Sequence, residues 1–528
     1  MDSPSTEGRL SAAGFARHIG RFSAATMASR VLGYVRDALI MYTFGGGAMT
    51  DAYVAAFRTA NFFRRSLGEG ALNSSVVPVL EREKNISLDQ ARSLFYSLCA
   101  GVLIVSSVLT AAGILGARPL VLLTAYGFSF DPGLFDLTVV LTQILFPSLI
   151  FVTLAAVCQS GLNVMRSFFL PALAPVCFSI SIILYFILLH WGLLPLHDVR
   201  SQLMGLALFA TLGSLVQFLV QFLALFRTQL RCRLRSPLSH PGIYQVLSLM
   251  GPSLVASAAD QVDTYVSMAF ATFLAAGSVT ALYNAQRVMQ LPLALFGVAT
   301  AVVALPQLSS LASRRDEKGM AETLGLSLRM LGFLLFPAMA GLWVIGLPII
   351  QVLFERGRFT GTHSLMAYQA LLCYAFSIIS YSVNKLCVSA FYAHKDAKTP
   401  VKISVAAVGV NALLSFFLMR RMGVAGLALA ASLSSWLAMG CMLRQLQKKL
   451  PRPLWRGNAR SLLKSLAASA LMALACLGLK AYFGAASGRL VAACMLAAPP
   501  LYYLLSVLFN IEERNCVGAA FRGQGEMQ

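Results

Sequence analysis

Residues 29–83 read SRVLGYVRDALIMYTFGGGAMTDAYVAAFRTANFFRRSLGEGALNSSVVPVLERE. Within this stretch, two consecutive apolar segments carry five arginines and three acids. An arginine or aspartate at the centre of a membrane helix costs roughly 2.5–3.5 kcal/mol, so such residues must face protein or a water-filled cavity. They are therefore the first candidates for a functional site. The eight residues are Arg30, Arg36, Asp37, Asp51, Arg58, Arg64, Arg65 and Glu69.

The composition indicates a polytopic membrane protein. Of the 528 residues, 58% are hydrophobic and only 12% are charged, whereas a water-soluble domain carries about 25% charged residues. The formal net charge of +21 would also suit a nucleic-acid partner, but the lysines and arginines fall mainly in short loops between apolar runs. That distribution is typical of the positive-inside rule, so we predict no nucleic-acid partner.

The sequence contains no familiar catalytic or metal-binding motif. Its ten cysteines are scattered without a CxxC pair, and its six histidines form no HExxH or similar spacing. There is no Walker loop, no GxGxxG after a strand and no GxSxG elbow. We therefore predict that the protein is not an enzyme and uses no cofactor or metal. The first 17 residues contain no apolar run, so no cleaved signal peptide is expected.

A membrane helix needs about 20 mostly apolar residues, and fourteen segments meet that rule. The loops between them are richer in lysine and arginine on alternate sides, which predicts that the N- and C-termini are cytoplasmic. The fold class is therefore an all-α polytopic membrane protein with about fourteen transmembrane helices. The segments lie near residues 18–44, 51–80, 92–116, 134–160, 168–190, 201–226, 245–275, 279–311, 324–350, 365–392, 400–419, 422–443, 461–483 and 489–510.

Two halves of the chain resemble each other weakly. TDAYVAA at 50–56 matches TALYNAQ at 280–286, and CQSGLNVMRSFFLP at 158–171 matches CVSAFYAHKDAKTP at 387–400. These offsets predict two pseudo-symmetric six-helix lobes, 1–235 and 236–447, with parallel topology. Residues 448–528 add a basic linker, two C-terminal helices and a cytoplasmic tail. Chance similarity between apolar segments is the alternative.

The charged residues are spaced so that they share helix faces. Asp51, Arg58 and Arg65 lie seven residues apart and form one stripe, with Arg64 beside it and Glu69 one turn further. On the preceding segment, Ser29 shares a face with Arg36, and Arg30 shares a face with Asp37. We predict that both segments line one cavity.

The balance of charge in this group favours an anionic ligand. Together with Arg287 in the second half, six arginines against three acids leave a charge of +3. Guanidinium groups bind phosphate oxygens in pairs, which suits a diphosphate. We expect Asp37 and Glu69 to orient arginines or to act in gating. The alternative is an internal salt-bridge network that only holds helices together.

Several motifs resemble one known family. SRVLGYVRDA, FRTANFFRRSLGEGALNSSVVPVL, YNAQRVMQLPLALFGVA and HKDAKTPVK are similar to the MurJ (MviN) lipid II flippases of the multidrug/oligosaccharidyl-lipid/polysaccharide exporter superfamily. The resemblance extends over essentially the whole chain. It implies fourteen helices, two lobes in a V shape, and two further helices that form a lipid-facing groove.

The resemblance also implies a function. Lipid II, the undecaprenyl-diphosphate-linked disaccharide-pentapeptide precursor of peptidoglycan, would move from the cytoplasmic to the outer leaflet of the bacterial inner membrane by alternating access. The implied partners are lipid II, membrane lipids and the cell-wall synthesis machinery. The family's essential cavity positions correspond to Ser29, Arg30, Arg36, Asp51, Arg64 and Arg287.

Departures from the family pattern occur near Arg287 and in the second half. Gln286 and Gln290 stand where the family often has acids, so proton coupling at those positions is not expected. Some relatives bind sodium in the second lobe. Asp260 and Asp263 could contribute here, but Ser415 stands where an acid would be needed, so we predict no sodium site.

Four alternative functions remain open at the level of sequence. A drug/cation antiporter of the same superfamily would favour a negatively charged cavity, which the excess of arginine opposes. A flippase for another polyprenyl-diphosphate-linked glycan would need the same cations. A non-transporting scaffold for cell-wall synthases would tolerate replacement of the arginines. A membrane enzyme acting on diphosphate lipids would need an acid pair or metal ligands, which the sequence does not offer near the arginines.

Overall fold

The structure is a computed structural model that describes residues 29–66, 72–167, 169–230, 240–451, 454, 458–484 and 488–515. At residues 73–74 and 252–260 it describes the backbone but not the side chains. Glu69 and the Asp260 side chain, both named from the sequence, therefore lie outside the described part, as do the first residues of the first predicted segment.

All regular elements in the described ranges are helices. A 3-10 turn at Tyr126–Phe130 and a π-helical segment at Leu293–Val298 interrupt the α-helices. The α-helices are α1 (29–44), α2 (Ala48–Phe63), α3 (Asn73–Ile86), α4 (Leu88–Leu115), α5 (Ala117–Thr124), α6 (Pro132–Leu145), α7 (Ser148–Val164), α8 (Phe169–His190), α9 (Val199–Leu225), α10 (Gly242–Ala271), α11 (Ser278–Pro292), α12 (Ala299–Ser313), α13 (Glu317–Phe354), α14 (Gly361–Ala393), α15 (Lys398–Gln447), α16 (Asn458–Phe483) and α17 (Gly488–Leu508).

The predicted class, an all-α polytopic membrane protein, is confirmed. Among the described residues, ten helical stretches are long and apolar enough to cross a membrane. The exact number of fourteen spans stays a prediction. One of the ten stretches, α15, contains Gly423 with φ 55° and ψ −129°. This backbone conformation suits glycine, and it lies at the junction of the two segments predicted at 400–419 and 422–443.

The structure also contains a helix and a helix break that the sequence did not predict. α5 and the following 3-10 turn occupy a region predicted as a loop between spans. The predicted segment 134–160 is divided at Phe146 and Pro147 into α6 and α7. Pro147 lacks a backbone N–H and cannot continue the hydrogen-bond ladder of α6. Hydropathy does not detect such a break because it averages over the whole apolar run.

The chain divides into two compact units. The first comprises Met1–Phe44 and Ala48–Gln261, and the second comprises Gly45–Gly47 and Val262–Gln528. In the first unit, α3, α4, α7, α9 and the beginning of α10 share an apolar core that includes Leu94, Phe95, Val157 and Val246. In the second unit, α14 packs against α11, α13 and α15, and α13 packs against α16 and α17.

Two local features recur at nearly the same offset in the two halves, while the repeat itself stays a prediction. Arg166 lies two residues after the end of α7, and Lys395 lies two residues after the end of α14. Both have φ 58°. In each case the next N–H bonds back to a carbonyl five residues earlier, from Ser167 to Leu162 at 2.9 Å and from Asp396 to Phe391 at 2.9 Å. This is the Schellman pattern of a helix C-terminus.

The second recurrence is a departure from α-helical geometry. Residues 64–66 form a π-helical turn after α2, and Leu293–Val298 form a π-helical segment after α11. π-helical turns are rare and are found frequently at functional sites. The division of the chain into lobes at 235 and 447 itself stays a prediction.

A buried ion pair connects the last two helices to α13. Glu513 follows α17 and is only 2% exposed. Its Oε1 lies 2.8 Å from Arg329 Nε on α13, and the Ser461 hydroxyl on α16 donates to its Oε2 at 2.7 Å. Arg329 Nη1 also donates to Asn458 Oδ1 at 3.1 Å. One network of charged and polar groups thus joins α13, the beginning of α16 and the segment that follows α17.

Replacement of Glu513 by alanine should loosen α16 and α17 from α13. The substitution leaves Arg329 without its carboxylate, and breaking a buried pair from one side costs about 3 kcal/mol. Thermal unfolding and limited proteolysis of the purified protein would measure the effect. Glu512→Ala is the matched control, because Glu512 is the adjacent residue and is exposed. Equal stability of the two variants would contradict a role for this ion pair.

Candidate functional site

The sequence-predicted residues of the first unit lie on α1, on α2 and in the turn after α2. Arg30 is exposed, and Ser29, Arg64 and Arg65 are half-buried. The remaining members are buried, although all four are ionisable. They are Arg36, Asp37, Asp51 and Arg58.

Arg36 and Asp37 are adjacent in sequence and pair directly. Arg36 Nε and Nη2 donate to Asp37 Oδ1 at 2.9 and 2.7 Å. The guanidinium carbon of Arg36 also lies 5.4 Å from the centre of the Phe178 ring on α8. A carboxylate and an aromatic ring therefore hold this arginine in one orientation. A predicted arginine-orienting role of Asp37 requires such a contact, and the role itself stays a prediction.

The arginines after α2 lie in the π-helical turn 64–66. The structure gives no hydrogen-bond partner for the buried Arg65 Nε or the buried Ser66 hydroxyl within the described ranges. A buried donor without a partner is costly and is rare in folded proteins. Such donors are suited to an anionic group that arrives from outside the chain. Sequence reasoning missed Ser66, which could have been found as a hydroxyl next to two arginines.

Arg287 lies on α11 in the second unit. It is half-buried, and its guanidinium carbon lies 5.5 Å from the centre of the Tyr283 ring, one helical turn earlier. The neighbouring Gln286 donates from Nε2 to the Tyr374 hydroxyl on α14 at 3.0 Å. Tyr283 and Tyr374 were not predicted as site residues, because a tyrosine in an apolar segment is indistinguishable from ordinary core.

The second unit also contains a polar cluster around Asp263 on α10. Asn411 Nδ2 donates to Asp263 Oδ1 at 2.7 Å, and the Tyr381 hydroxyl lies 3.4 Å from Oδ2. Ser415 in turn donates to Asn411 Oδ1 at 3.2 Å. The structure thus brings Asp263, Asn411 and Ser415 together, and hydrogen-bond donors surround the carboxylate.

Replacement of Asp37 by alanine should destabilise the first unit. Arg36 would keep its charge in a buried position without the neighbouring carboxylate, at a cost of about 3 kcal/mol. Chemical or thermal unfolding of the purified protein would measure the loss. Arg30→Ala is the control and should unfold like the unmodified chain, since Arg30 is exposed. Unchanged unfolding of the Asp37→Ala variant would show that the pair contributes nothing to stability.

Comparison with known proteins identifies the family. A family model described as "Lipid II flippase MurJ" matches residues 40–497. A probable lipid II flippase MurJ from Vibrio cholerae is 33% identical over 432 residues, which cover 80% of this chain and 81% of that protein. The lipid II flippase MurJ of Burkholderia cenocepacia is 30% identical over 436 residues, with 81% and 84% of the two chains covered.

Solved structures agree with this comparison. A lipid II flippase MurJ in an inward closed conformation matches with a TM-score of 0.77 and 25% identity, over 92% of this chain and 98% of that one. A multidrug resistance MATE family transporter in an inward-facing conformation matches with a TM-score of 0.64 and 14% identity, over 80% and 95% of the chains, and indicates the fold alone. The chain therefore belongs to the lipid II flippase MurJ family.

Proposed function

We propose that this chain moves lipid II from the cytoplasmic to the outer leaflet of the bacterial inner membrane. The observation that carries the proposal is the family match over residues 40–497, a range that includes Asp51, Arg58, Arg64, Arg65 and Arg287. The arginines in these segments suit the diphosphate of the substrate. Translocation makes and breaks no covalent bond, so the chain acts as a transporter and not as an enzyme.

The arginines have different proposed roles in binding the substrate. Arg30, Arg64 and Arg287 bind the diphosphate and the carboxylates of the peptide, because each guanidinium presents two parallel N–H donors to an oxyanion. Arg36 joins them in an orientation that Asp37 already sets through bonds of 2.7 and 2.9 Å. Arg58, Arg65 and Ser29 extend the same polar surface.

The transport cycle is alternating access. An inward-open site admits the headgroup, a change of conformation exposes it to the outside, and the empty site then returns. Asp51 orients an arginine or closes the outer gate. The membrane potential favours the return of a positively charged empty site towards the cytoplasm, since one charge moving through 100 mV is worth about 2.3 kcal/mol.

The polyprenyl tail stays in lipid beside the last two helices. α16 and α17 expose large apolar side chains, among them Leu474 at 63% and Leu496 at 78% exposure. An isoprenoid chain and lipid acyl chains both suit such a surface. The membrane lipids and the cell-wall synthesis machinery are the remaining proposed partners.

The alternatives differ in what they require of the arginines. A drug/cation antiporter would place acids where this chain has an excess of guanidinium groups. The MATE transporter that resembles this chain does so at only 14% identity. A flippase for another polyprenyl-diphosphate-linked glycan would use the same cations, and a scaffold for cell-wall synthases would not need them.

A bacterial strain depleted of its own lipid II flippase would be supplied with this chain or with a single alanine variant of it. We expect each variant to fail to restore growth. The four variants replace Arg30, Arg36, Arg64 and Arg287. Each variant should still reach the membrane, and a leaflet-exposure assay should report at least a tenfold loss of lipid II at the outer surface, because one charged hydrogen-bonding group is worth more than 1.4 kcal/mol. Arg421→Ala is the control, as Arg421 is exposed at the kink of α15. Normal lipid II exposure in all four variants would refute the proposed function.

The proposed orientation places both termini in the cytoplasm. A reporter that is active only in the cytoplasm should therefore be active when fused after residue 515 and inactive when inserted at Gly484, between α16 and α17. The two fusions control each other because a single span separates them. Activity at Gly484 together with inactivity at the C-terminus would reverse the orientation.

A further inference from the structure

His394 is the first residue after α14, and one side of its imidazole ring has a fixed hydrogen-bond role. Nδ1 lies 3.0 Å from the carbonyl oxygen of Ala390, one helical turn earlier. A carbonyl oxygen can only accept a hydrogen bond, so Nδ1 must carry the hydrogen of this contact. In a neutral ring the other nitrogen, Nε2, is then an acceptor without a hydrogen.

Nε2 of His394 faces a carboxylate. It lies 3.5 Å from Glu317 Oε2, in the first turn of α13. Both atoms are shielded from solvent, and neither has a hydrogen-bond partner within the described ranges. Two acceptors that face each other are unfavourable, because each has lost water without gaining a donor. A proton on Nε2 supplies the missing donor and turns the contact into a charge-assisted hydrogen bond.

The ends of the two helices also suit a charged pair. His394 caps the C-terminus of α14, where the free carbonyl groups of a helix attract a positive charge. Glu317 lies in the first turn of α13, where the free N–H groups attract a negative charge. A protonated His394 and an ionised Glu317 therefore interact favourably with their own helices as well as with each other.

The charged side chains around this contact do not take the place of Glu317. A hydrogen bond from Lys449 at 2.7 Å, together with bonds from Thr399, lowers the pKa of Asp396 to about 2. That pair therefore stays charged near neutral pH. The other charged side chains are exposed, and they are Arg314, Arg315, Asp316, Lys318 and Glu322 around the beginning of α13, Lys395, Lys398 and Lys402 around the beginning of α15, and Arg444 and Lys448 near its end.

A second histidine–glutamate contact lies in the first unit and is arranged differently. His240 Nε2 lies 3.9 Å from Glu83 Oε2. There the Gly242 N–H donates to His240 Nδ1 at 3.1 Å, so Nδ1 is the acceptor and Nε2 carries the hydrogen of the neutral ring. The donor that faces Glu83 is therefore present without an added proton. The two contacts differ in whether they require one.

We propose that His394 and Glu317 form a proton-dependent latch between the beginning of α13 and the end of α14. The latch closes when His394 is protonated at Nε2 and opens when the ring is neutral. The contact is therefore present at lower pH and is lost as the pH rises through the range in which imidazole titrates. In the proposed orientation this end of the second unit faces the cytoplasm, so the proton comes from that side.

Amide hydrogen exchange, measured by mass spectrometry on the purified full chain, would report on this contact locally. Exchange would be followed at pH 6 and pH 8.5 in peptides that cover residues 314–324 and 388–398. Each measured rate would be compared with the intrinsic rate at the same pH to give a protection factor. His394→Gln and Glu317→Gln each remove one member of the pair without leaving a cavity. His240→Gln is the matched control, because it removes the corresponding ring in the first unit.

We expect the unmodified chain to lose about tenfold in protection at both helix ends between pH 6 and pH 8.5. Tenfold corresponds to about 1.4 kcal/mol, which is within the range of one hydrogen bond to a charged group. His394→Gln and Glu317→Gln should show the lower protection at both pH values. His240→Gln should match the unmodified chain at these two helix ends.

Three results would overturn the inference. The first is equal protection of the unmodified chain at the two pH values. The second is a His394→Gln variant that keeps the pH dependence, and the third is a Glu317→Gln variant that keeps it, since the ring would then respond without its partner. None of these measurements involves lipid II, so their outcome is independent of the proposed function.

Discussion

The free energy of a charged group in hydrocarbon is the constraint on which the rest of this structure depends. The six arginines of the candidate site lie in or beside apolar segments, and each needs a partner that replaces water. Arg36 obtains one from the adjacent Asp37 and from the Phe178 ring on another helix. Arg287 lies over the ring of Tyr283. The two solutions differ in consequence, because a carboxylate cancels the charge of an arginine whereas a ring leaves it intact.

Departures from α-helical backbone geometry occur close to several of these arginines. The π-helical turn 64–66 contains Arg64 and Arg65, and the π-helical segment Leu293–Val298 follows α11, which contains Arg287. A π turn widens the helix by one residue and rotates the side chains that follow it. It therefore changes which face of a helix is presented after the charged residues, without breaking the hydrogen-bond ladder in a region where water is absent.

The sequence alone could predict the helices, because the length of an apolar run measures the free energy of transfer into lipid. It could also indicate candidate functional residues, because charges in such runs are rare. It could not indicate which helices meet. Phe178 lies 142 positions from Arg36, and Tyr374 lies 88 positions from Gln286. Hydropathy contains no information on such pairs. The division between α6 and α7 was missed because hydropathy averages over the whole apolar run.

The contrast between the two arginine environments bears on how the proposed cycle is driven. An arginine paired with an acid contributes almost nothing to the charge of an empty site, so the membrane potential has little effect on it. A contact with an aromatic ring leaves the charge of an arginine intact, and each such charge that crosses 100 mV gains about 2.3 kcal/mol. Binding of a diphosphate would cancel that gain. In the proposed cycle, the return of the empty site, and not the outward step with substrate, is therefore the step that responds to the potential.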